Sequence, residues 1–370
     1  MTARFFRRLA GRLELALSSD RAFLERAYRE ILGREIDQDG YDYYVRVLGE
    51  GHSRTAVLLS LVRSEEFTGR LTPPPPIKAI RELRPSQYRR DEDVLNRSPV
   101  DVFEVRSDAD LDWLESMIIE NGYYERAGVW NFGIDTDKRV MAEILASFAP
   151  KQAIEIGCAS GAVLECLREL GFRAEGVEIS RMALERAFPG VRDRIHVGDL
   201  LTVRLPGGYD LVFGLDIFEH LNPNRLGDYI ARVAGLLRDG GYVFANVPAF
   251  GEDPVFGTVF PLYLRGWSAD AAPGRRFARI PVDEHGYPLH GHLVWADSPW
   301  WVARFEAHGL RRQVDIEAAL HRKYDRYMDS RSRARKAYYV FSKAGGTART
   351  SAILERVSAA PSQVLSGREV

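Results

Sequence analysis

The stretch Glu155-Ile156-Gly157-Cys158-Ala159-Ser160-Gly161 decides the fold of this chain. It closes a short apolar run, Ala153–Gly157, and precedes a helical apolar pattern, Ala162–Leu170. Glycines at such a point let the backbone turn sharply and approach a ligand without a Cβ clash. A turn at the carboxyl end of a strand that opens a helix is where open α/β sheets bind nucleotides. The stretch therefore predicts a parallel α/β sheet with a nucleotide-like ligand at its carboxyl edge.

The spacing of the glycines narrows the class of ligand. Gly157 and Gly161 do not form the Gly-x-Gly-x-x-Gly pattern that cradles a pyrophosphate, and no Lys-Ser/Thr pair follows as in a phosphate-binding loop. A nucleoside without phosphates is the better ligand. Glu178 closes the second apolar run, where a carboxylate can accept hydrogen bonds from both ribose hydroxyls. Asp199 follows the third run and suits an adenine amino group.

Short apolar runs alternate with helical patterns from Ala153 onward, which is typical of a parallel α/β sheet. The predicted strands are Ala153–Gly157, Ala174–Ile179, Ile195–Val197, Tyr209–Gly214, Tyr242–Val247, a strand near Arg311–Glu317 and Ala337–Ser342. The predicted helices are Asp108–Asn121, Asp135–Phe148, Ala162–Leu170, Arg181–Phe188, Arg225–Leu237 and Trp300–His308.

The motifs keep a fixed order along the chain: Glu155, Gly157, Gly161, Glu178, Gly198-Asp199, Tyr209-Asp210-Leu211-Val212 and Leu236-Leu237-Arg238-Asp239-Gly240-Gly241. This series resembles the class I S-adenosylmethionine-dependent methyltransferases over roughly residues 140 to 343. The resemblance implies a Rossmann-like seven-stranded α/β sheet with its last strand antiparallel, and S-adenosyl-L-methionine as the methyl donor. Ala337–Ser342 fits the final strand.

The resemblance also implies a set of donor-binding residues. Gly157 and Gly161 would line the methionine moiety, Glu178 the ribose, and Asp199 with Leu200 the adenine. The full implied set is Glu155, Gly157, Cys158, Ala159, Gly161, Glu178, Ile179, Asp199, Leu200 and Asp216, the last bordering the sulfonium. Ala159 stands where relatives commonly have glycine, so we expect an adjusted affinity. We also expect a valine at Gly161 to fill donor space without unfolding the protein.

Transfer of a methyl group to a hydroxyl requires removal of the hydroxyl proton. His220 is the first candidate for the base, and Glu219 lies beside it in the segment that follows the fourth predicted strand. A second candidate segment, Asp283–His292, contains His290 and His292. The alternative for each histidine is a hydrogen bond that only fixes its loop. Together with Asp216 and Glu219, His290 and His292 could also hold a divalent ion, but no compact ligand spacing supports this, so the sequence predicts no metal site.

Composition excludes several classes of protein. The 51 Lys and Arg residues nearly balance 52 Asp and Glu, so a nucleic-acid partner is not indicated. Two cysteines are too few for a disulfide scaffold, and a cytoplasmic location is predicted. The segment Arg311–Lys336 contains nine basic residues against four acidic ones. With Arg275-Arg276 it favours an anionic acceptor, the alternative being a solvated helix.

Four successive prolines, Pro73–Pro76, separate a small helical module from the rest of the chain. The predicted organisation is a helical module at 1–71, a linker at 72–100, a catalytic domain at 101–343 with an insertion at 249–298, and a flexible tail at 344–370. The module contains Tyr28, Leu32-Gly33-Arg34-Glu35, Asp37, Gly40, Tyr44, Leu48, Gly51, Ser53 and Ser64-Glu65-Glu66-Phe67. It resembles a small helical domain of unknown function that is often found beside bacterial cell-surface polysaccharide enzymes.

The first residues, Met1–Ser19, place Phe5, Leu9 and Leu13 at roughly helical spacing among arginines. Such a basic amphipathic helix can contact an anionic membrane surface, and the alternative is packing on its own domain. The predicted function is O-methylation of a sugar or glycan intermediate of surface polysaccharide synthesis. The alternatives are a small-metabolite N- or O-methyltransferase and a non-catalytic scaffold. The sequence does not identify a partner for the module.

Overall fold

The computed structural model describes residues 19–32, 35–64, 66–67, 78–91, 99–125, 133–260, 278–344 and 347–366. The described residues up to 67 form one compact unit, and those from 78 onward form another. The predictions for the amphipathic helix before Ser19, for Pro73–Pro76 and for Arg275-Arg276 lie outside these ranges. Within them, no helix is long and apolar enough to cross a bilayer.

The N-terminal unit consists of short helices, as the sequence predicts. Its helices are α1 Asp20–Ala27, which continues into a π-helical turn at Tyr28–Leu32, α2 Gln38–Gly49 and α3 Arg54–Arg63. Each α-helix begins after a side chain that accepts a hydrogen bond from a free backbone N–H of the first turn, namely Ser19, Asp37 and Ser53. The buried side chains of Phe23, Leu24, Ile31, Tyr44 and Leu61 form the core of this unit.

A seven-stranded sheet organises the second unit. The strands of this unit are β1 Tyr88–Asp91, β2 Val100–Glu104, β3 Ala153–Ile156, β4 Ala174–Glu178, β5 Ile195–Val197, β6 Tyr209–Leu215, β7 Leu237–Asn246, β8 Arg279–Pro281, β9 Arg311–Arg312 and β10 Tyr338–Ser342. The large sheet has the order β5-β4-β3-β6-β7-β10-β9. Strands β3 to β7 are parallel, and β10 runs antiparallel to both of its neighbours. This confirms the predicted Rossmann-like α/β sheet with a reversed last strand.

Helices follow most of these strands. They are α4 Asp108–Glu120, α5 Thr136–Ala146, α6 Ala162–Glu169, α7 Arg181–Glu185, α8 Leu226–Leu236, α9 Ser298–Glu306, α10 Val314–Arg331, α11 Thr347–Ala359 and α12 Gln363–Ser366. Short 3-10 turns lie at Arg81–Leu83, Pro85–Gln87, Tyr123–Glu125, Arg192–Arg194, Phe218–His220, Leu289–Gly291 and Arg333–Lys336. Apolar side chains of α5, α6, α10 and α11 pack with those of the sheet in one buried cluster, because each helix carries an apolar stripe.

The ordered structure extends into the predicted linker at 72–100. Strand β1 pairs antiparallel with β2, and β2 pairs with β8 from the insertion. Charged side chains of this segment form ion pairs with residues of β2 and β8. Arg89 Nε donates to Glu104 Oε1 over 2.5 Å, and a guanidinium nitrogen of Arg279 donates to the buried carboxylate of Asp91 over 3.0 Å. The described residues 78–91 therefore belong to the second unit.

The predicted flexible tail is wrong for residues 347–366. Helix α11 buries Ile353 and Val357 completely or almost completely. Arg356 Nε donates to the carbonyl oxygen of Ser147 over 2.7 Å, and Ser362 Oγ donates to Glu143 Oε2 over 2.6 Å. Most residues of this segment are small or polar, but Ile353 and Val357 lie one helical turn apart and pack on the core.

The strand predicted near Arg311–Glu317 is shorter than expected. It ends at Arg312, and Glu317 already belongs to α10. The buried Glu317 carboxylate accepts hydrogen bonds from the Arg312 guanidinium over 2.8 Å and from the backbone N–H of Val340 over 2.8 Å. Burial of this paired acid anchors the helix against β10.

Candidate functional site

The turn between β3 and α6 has a left-handed backbone at three residues. Gly157 has φ +70°, Ala159 φ +46° and Gly161 φ +73°. A Cβ atom on Gly157 would lie 2.7 Å from Ile217 Cδ1, and one on Gly161 would lie 2.9 Å from Val191 Cγ2. Both glycines are therefore required by packing inside the domain. The expectation that a valine at Gly161 would fill only donor space is wrong, because the added side chain would meet the core.

Glu178, at the end of β4, is joined directly to this turn. Its Oε2 accepts a hydrogen bond from the backbone N–H of Ala159 over 2.8 Å, and its Oε1 accepts one from that of Ser180 over 2.8 Å. The side chain is buried, and burial raises the pKa of the carboxyl. A carboxylate oxygen can accept more than one hydrogen bond, so Glu178 retains capacity for ribose hydroxyls.

Glu155, the first residue of the turn motif, is a buried acid with an unsatisfied atom. Its Oε2 has no hydrogen-bond partner among the described residues. Burial, with the negative charge of Glu178 adding to it, raises the pKa of Glu155 to about 8. Buried polar atoms are nearly always paired. Glu155 therefore fits a ligand that brings a hydrogen-bond donor or an ammonium group, as S-adenosylmethionine does.

Asp199 is held from α8 by a residue that the sequence analysis missed. Its Oδ2 accepts a hydrogen bond from the Tyr229 hydroxyl over 3.0 Å, and its Oδ1 accepts one from the backbone N–H of Leu201 over 2.8 Å. The other predicted donor residues near the strand ends differ in exposure, since Cys158 and Leu200 are buried whereas Ile179 is 45% exposed. Contact of these residues with the donor stays a prediction.

Asp216 has a strong partner that the sequence did not indicate. It follows β6 with φ +52°, and its Oδ2 accepts a hydrogen bond from the guanidinium of Arg335. The same guanidinium donates to Asp137 Oδ2 over 2.7 Å and to Asn246 Oδ1 over 2.6 Å. Arg335 therefore fixes the loop after β6 to α5 and to the end of β7.

The four predicted catalytic side chains come together in one place, here named the histidine cluster: Glu219, His220, His290 and His292. The ring centroids of His220 and His292 are 4.8 Å apart, and those of His290 and His292 are 5.6 Å apart. Glu219 Oε1 lies 3.8 Å from His292 Nε2.

A backbone connection brings the two sequence segments of the cluster together. The N–H groups of Leu293 and Val294 both donate to the carbonyl oxygen of Glu219, over 2.9 and 3.0 Å. Gly291 has φ +77°, and a Cβ atom there would lie 3.1 Å from His220 Nδ1. The absence of a side chain at Gly291 thus permits the close approach of the insertion to His220.

Burial dominates the electrostatics of the histidine cluster. Glu219 is fully buried, both of its carboxyl oxygens lack a hydrogen-bond partner among the described residues, and burial raises its pKa well above the usual value. Burial lowers the pKa of His220 to about 4, and burial with the neighbouring imidazoles lowers that of His292. Both imidazoles are therefore neutral near pH 7. The side chain of His290, by contrast, is exposed.

Tyr124 connects the cluster with the strand end that carries Glu178. Its hydroxyl lies 3.4 Å from His220 Nδ1, and its carbonyl oxygen accepts a hydrogen bond from Ser180 Oγ over 3.3 Å. The adjacent Glu125 carboxylate accepts a hydrogen bond from the backbone N–H of Arg181 over 3.1 Å, at the start of α7. Sequence reasoning missed Tyr124 because this turn precedes the motif series. The predicted donor turn and the predicted catalytic residues thus adjoin one segment.

Two protein families match parts of this chain. A family described as a methyltransferase domain matches residues 135–312. A family described as a domain of unknown function matches residues 14–71. The first range contains β3 to β8, the turn, Glu178, Asp199 and the histidine cluster.

Individual relatives align over part of the chain. The ubiquinone biosynthesis O-methyltransferase of Burkholderia orbicola (strain MC0-3) is 34% identical over 106 residues, which are 27% of this chain and 45% of that protein. The chain thus spans less than half the length of this curated relative. The solved Burkholderia thailandensis 1,6-didemethyltoxoflavin-N1-methyltransferase is 16% identical with a TM-score of 0.40, and the alignment covers 66% of this chain and 96% of that one. CalS10, an amino pentose methyltransferase from Micromonospora echinaspora, is 18% identical with a TM-score of 0.37 and coverage of 61% and 97%.

Proposed function

This chain belongs through residues 135–312 to the class I S-adenosylmethionine-dependent methyltransferases, and from that premise we propose that it methylates a hydroxyl group of an acceptor. The observation that carries the proposal is the histidine cluster. A hydroxyl acceptor needs a group that removes its proton, whereas an amine that binds unprotonated does not. The cluster places three imidazoles and a carboxyl beside the turn that contains Tyr124.

The donor would be held by the residues around the β3–α6 turn. Glu178 offers carboxylate oxygens to the ribose hydroxyls, and Asp199 accepts a hydrogen bond from the adenine amino group. Glu155 offers its unpartnered oxygen to the amino group of the methionine moiety. When bound, S-adenosylmethionine supplies a methyl group to the acceptor oxygen and leaves as S-adenosylhomocysteine.

Among the three histidines, we propose that His290 is the base that accepts the proton of the acceptor hydroxyl. His220 and His292 are largely buried and lie against Glu219. His290 is exposed and adjoins His292, so its imidazole can take the proton of the acceptor hydroxyl as the O–H bond breaks and then pass it to solvent. His220, His292 and Glu219 thus form the floor of the acceptor site, and His290 lies at its rim.

For the acceptor itself we propose a sugar or glycan hydroxyl. The support is the N-terminal match to a domain of unknown function at residues 14–71. The resemblance noted in the sequence implies a setting beside bacterial surface-polysaccharide enzymes. An anionic acceptor gains less support than the sequence indicated. Arg312 pairs with Asp253 and Glu317, and Lys336 pairs with Asp329, so part of the basic segment is already neutralised.

A second candidate acceptor is a small aromatic hydroxyl compound. Aromatic rings adjoin the histidine cluster: Trp295 lies 5.4 Å from the His292 ring and Tyr124 lies 6.1 Å from the His220 ring, measured between centroids. The relatives at 34% identity are named for ubiquinone biosynthesis. An aromatic acceptor suits a site bordered by these rings, because aromatic pairs stack or meet edge to face.

The test is transfer of a labelled methyl group by the purified full chain. The acceptor panel contains sugar nucleotides and methyl glycosides, simple phenols and catechols, and amino sugars as amine acceptors. We expect label in one hydroxyl class. His290→Asn should lower kcat by about 10²- to 10⁴-fold at unchanged donor affinity, which is the usual contribution of a general base.

His285→Asn provides the matched control, because it makes the same change in the same insertion but outside the cluster. It should leave kcat within about twofold. Label only in amines, or equal kcat for His290→Asn and the unaltered chain, would contradict the proposal.

A further inference from the structure

We propose that Glu219, His220 and His292 bind a divalent first-row transition-metal ion, and that this ion holds the oxygen of the acceptor hydroxyl. The role of the ion rests on the proposed function, but its binding does not. The sequence shows no compact ligand spacing for these residues, because Glu219 and His220 lie far along the chain from His292.

The three side chains converge in the folded chain. One ligand atom of each, a carboxylate oxygen and two imidazole nitrogens, lies within 4.8 Å of the others. Metal–nitrogen and metal–oxygen bonds of about 2.0–2.2 Å place neighbouring ligand atoms about 3 Å apart. A contraction of about 1–2 Å, within reach of side-chain rotation, would therefore close the site.

Glu219 provides an independent sign of a missing ligand. It is 0% exposed, and both of its carboxyl oxygens lack a partner among the described residues. An unpaired buried polar group costs about 1–3 kcal/mol. Its backbone carbonyl oxygen accepts hydrogen bonds from the N–H groups of Leu293 and Val294, which fixes the loop after β6. The side-chain carboxyl, by contrast, has no hydrogen-bond partner among the described residues. A cation between Glu219 Oε1 and His292 Nε2, which lie 3.8 Å apart, would satisfy it.

The chemistry of the three ligands indicates the class of ion. Neutral imidazoles suit first-row transition metals, and a carboxylate also suits manganese, so two imidazoles with one carboxylate favour Mn²⁺, Fe²⁺ or Zn²⁺ over Ca²⁺. One carboxylate carries a single negative charge, so a divalent ion together with these three ligands keeps a net positive charge. Coordination positions not taken by these three side chains remain for water and an acceptor oxygen.

An ion at this place would assist the proposed reaction at the acceptor. A divalent cation lowers the pKa of a hydroxyl that binds to it, just as it lowers that of bound water. The O–H bond then breaks with its proton going to His290, and the oxygen electron pair forms the bond to the incoming methyl group. The methyl–sulfur bond electrons leave with S-adenosylhomocysteine. No oxidant or reductant is consumed.

The experiment is a titration of chelator-treated, desalted full-length protein with MnCl₂ alone, without donor or acceptor. Free Mn²⁺ is followed by electron paramagnetic resonance, and Zn²⁺ is added as a competitor. We expect one Mn²⁺ per chain that Zn²⁺ displaces. Glu219→Gln and His292→Gln should each weaken Mn²⁺ binding at least tenfold, and His285→Gln should not change it.

Thermal melting identifies a variant that fails to fold, and the two ligand variants test the site separately. No Mn²⁺ or Zn²⁺ binding by the folded chain, or binding that both ligand variants retain, would overturn the inference. Because neither donor nor acceptor is present, a protein that binds Mn²⁺ through these residues yet transfers no methyl group would refute the proposed function alone. Methyl transfer unaffected by a chelator would refute the role of the ion.

Discussion

The backbone N–H of Ala159 donates to Glu178 Oε2 over 2.8 Å, so the turn after β3 and the acid after β4 form one hydrogen-bonded unit. Ala159 has φ +46°, a conformation that costs a residue with a Cβ atom roughly 1–2 kcal/mol. A hydrogen bond to a carboxylate contributes about 1.5–3 kcal/mol, which is enough to offset that cost. Glu178 therefore shapes the turn, in addition to the ribose contact that we propose for it.

Glu178→Gln should weaken binding of S-adenosylmethionine at least about tenfold. The amide NH₂ cannot accept the hydrogen bond that one carboxylate oxygen now accepts from Ala159 or Ser180, and charge-assisted bonds of 1.5–3 kcal/mol correspond to about tenfold or more. Calorimetric titration measures the change. Glu185→Gln, on the exposed end of α7, is the matched control and should bind the donor normally. Equal affinities would contradict the role of Glu178.

Gly161→Ala should destabilise the protein more than Gly171→Ala does, by at least about 1 kcal/mol. Both glycines have positive φ, +73° and +84°, at opposite ends of α6. A methyl group on Gly161 would press on Val191 and Ile195, whereas one on Gly171 would meet open space. Overpacking typically costs 1–3 kcal/mol. Denaturant unfolding of the two variants gives the difference, and equal costs would show that backbone strain alone is responsible.

Glu155→Gln should remove a pH dependence of stability. The pKa of Glu155 is about 8 in the folded protein, above its usual value, so the native state holds a proton that the unfolded chain has lost. The stability that this proton contributes is present at low pH and is lost as the pH rises to about 8. The slope is at most about 1.4 kcal/mol per pH unit.

The measurement for Glu155 is the free energy of unfolding of both proteins between pH 5.5 and about 8. Stability of the unaltered chain should decrease relative to the glutamine variant as the pH rises. Parallel curves for the two proteins would rule out a protonated Glu155.

Ile353→Ala should cost about 2–5 kcal/mol, the usual range for removing a fully buried aliphatic side chain. The exposed Glu355→Ala on the same helix should stay within about 0.5 kcal/mol. Thermal or denaturant unfolding measures both. A small effect at Ile353 would mean that α11 does not contribute to the core of the second unit.

Local chemistry explains why most of the fold could be predicted. Glycines and acids at the ends of β3, β4 and β5 determine the backbone turns only a few residues away from themselves. The sequence therefore places Glu178 and Asp199 correctly at strand ends. The tail could not be predicted in this way. Ile353 and Val357 are too few to stand out in a polar segment, and their burial depends on surfaces formed much earlier in the chain.

The histidine cluster shows the same limit for the site. His220 could be chosen because it follows a predicted strand, and His290 and His292 because the resemblance implies that their segment covers the acceptor pocket. Their convergence with Glu219 depends on two backbone hydrogen bonds from Leu293 and Val294, which have no local signature. Tyr124, Tyr229 and Arg335 were missed for a related reason, since each acts only through a partner from another element.

The position of β10 between β7 and β9 has a consequence for biosynthesis. A nascent chain leaving the ribosome can pair β3 to β7 in succession, but the outer edge of β7 stays without a neighbour until Tyr338–Ser342 have been translated. Val243 and Phe244 on that edge are fully buried in the finished protein. Unpaired apolar strand edges attract other chains. Until Tyr338–Ser342 have been made, the open edge of β7 can therefore pair with another chain, and completion of β10 removes that risk of aggregation.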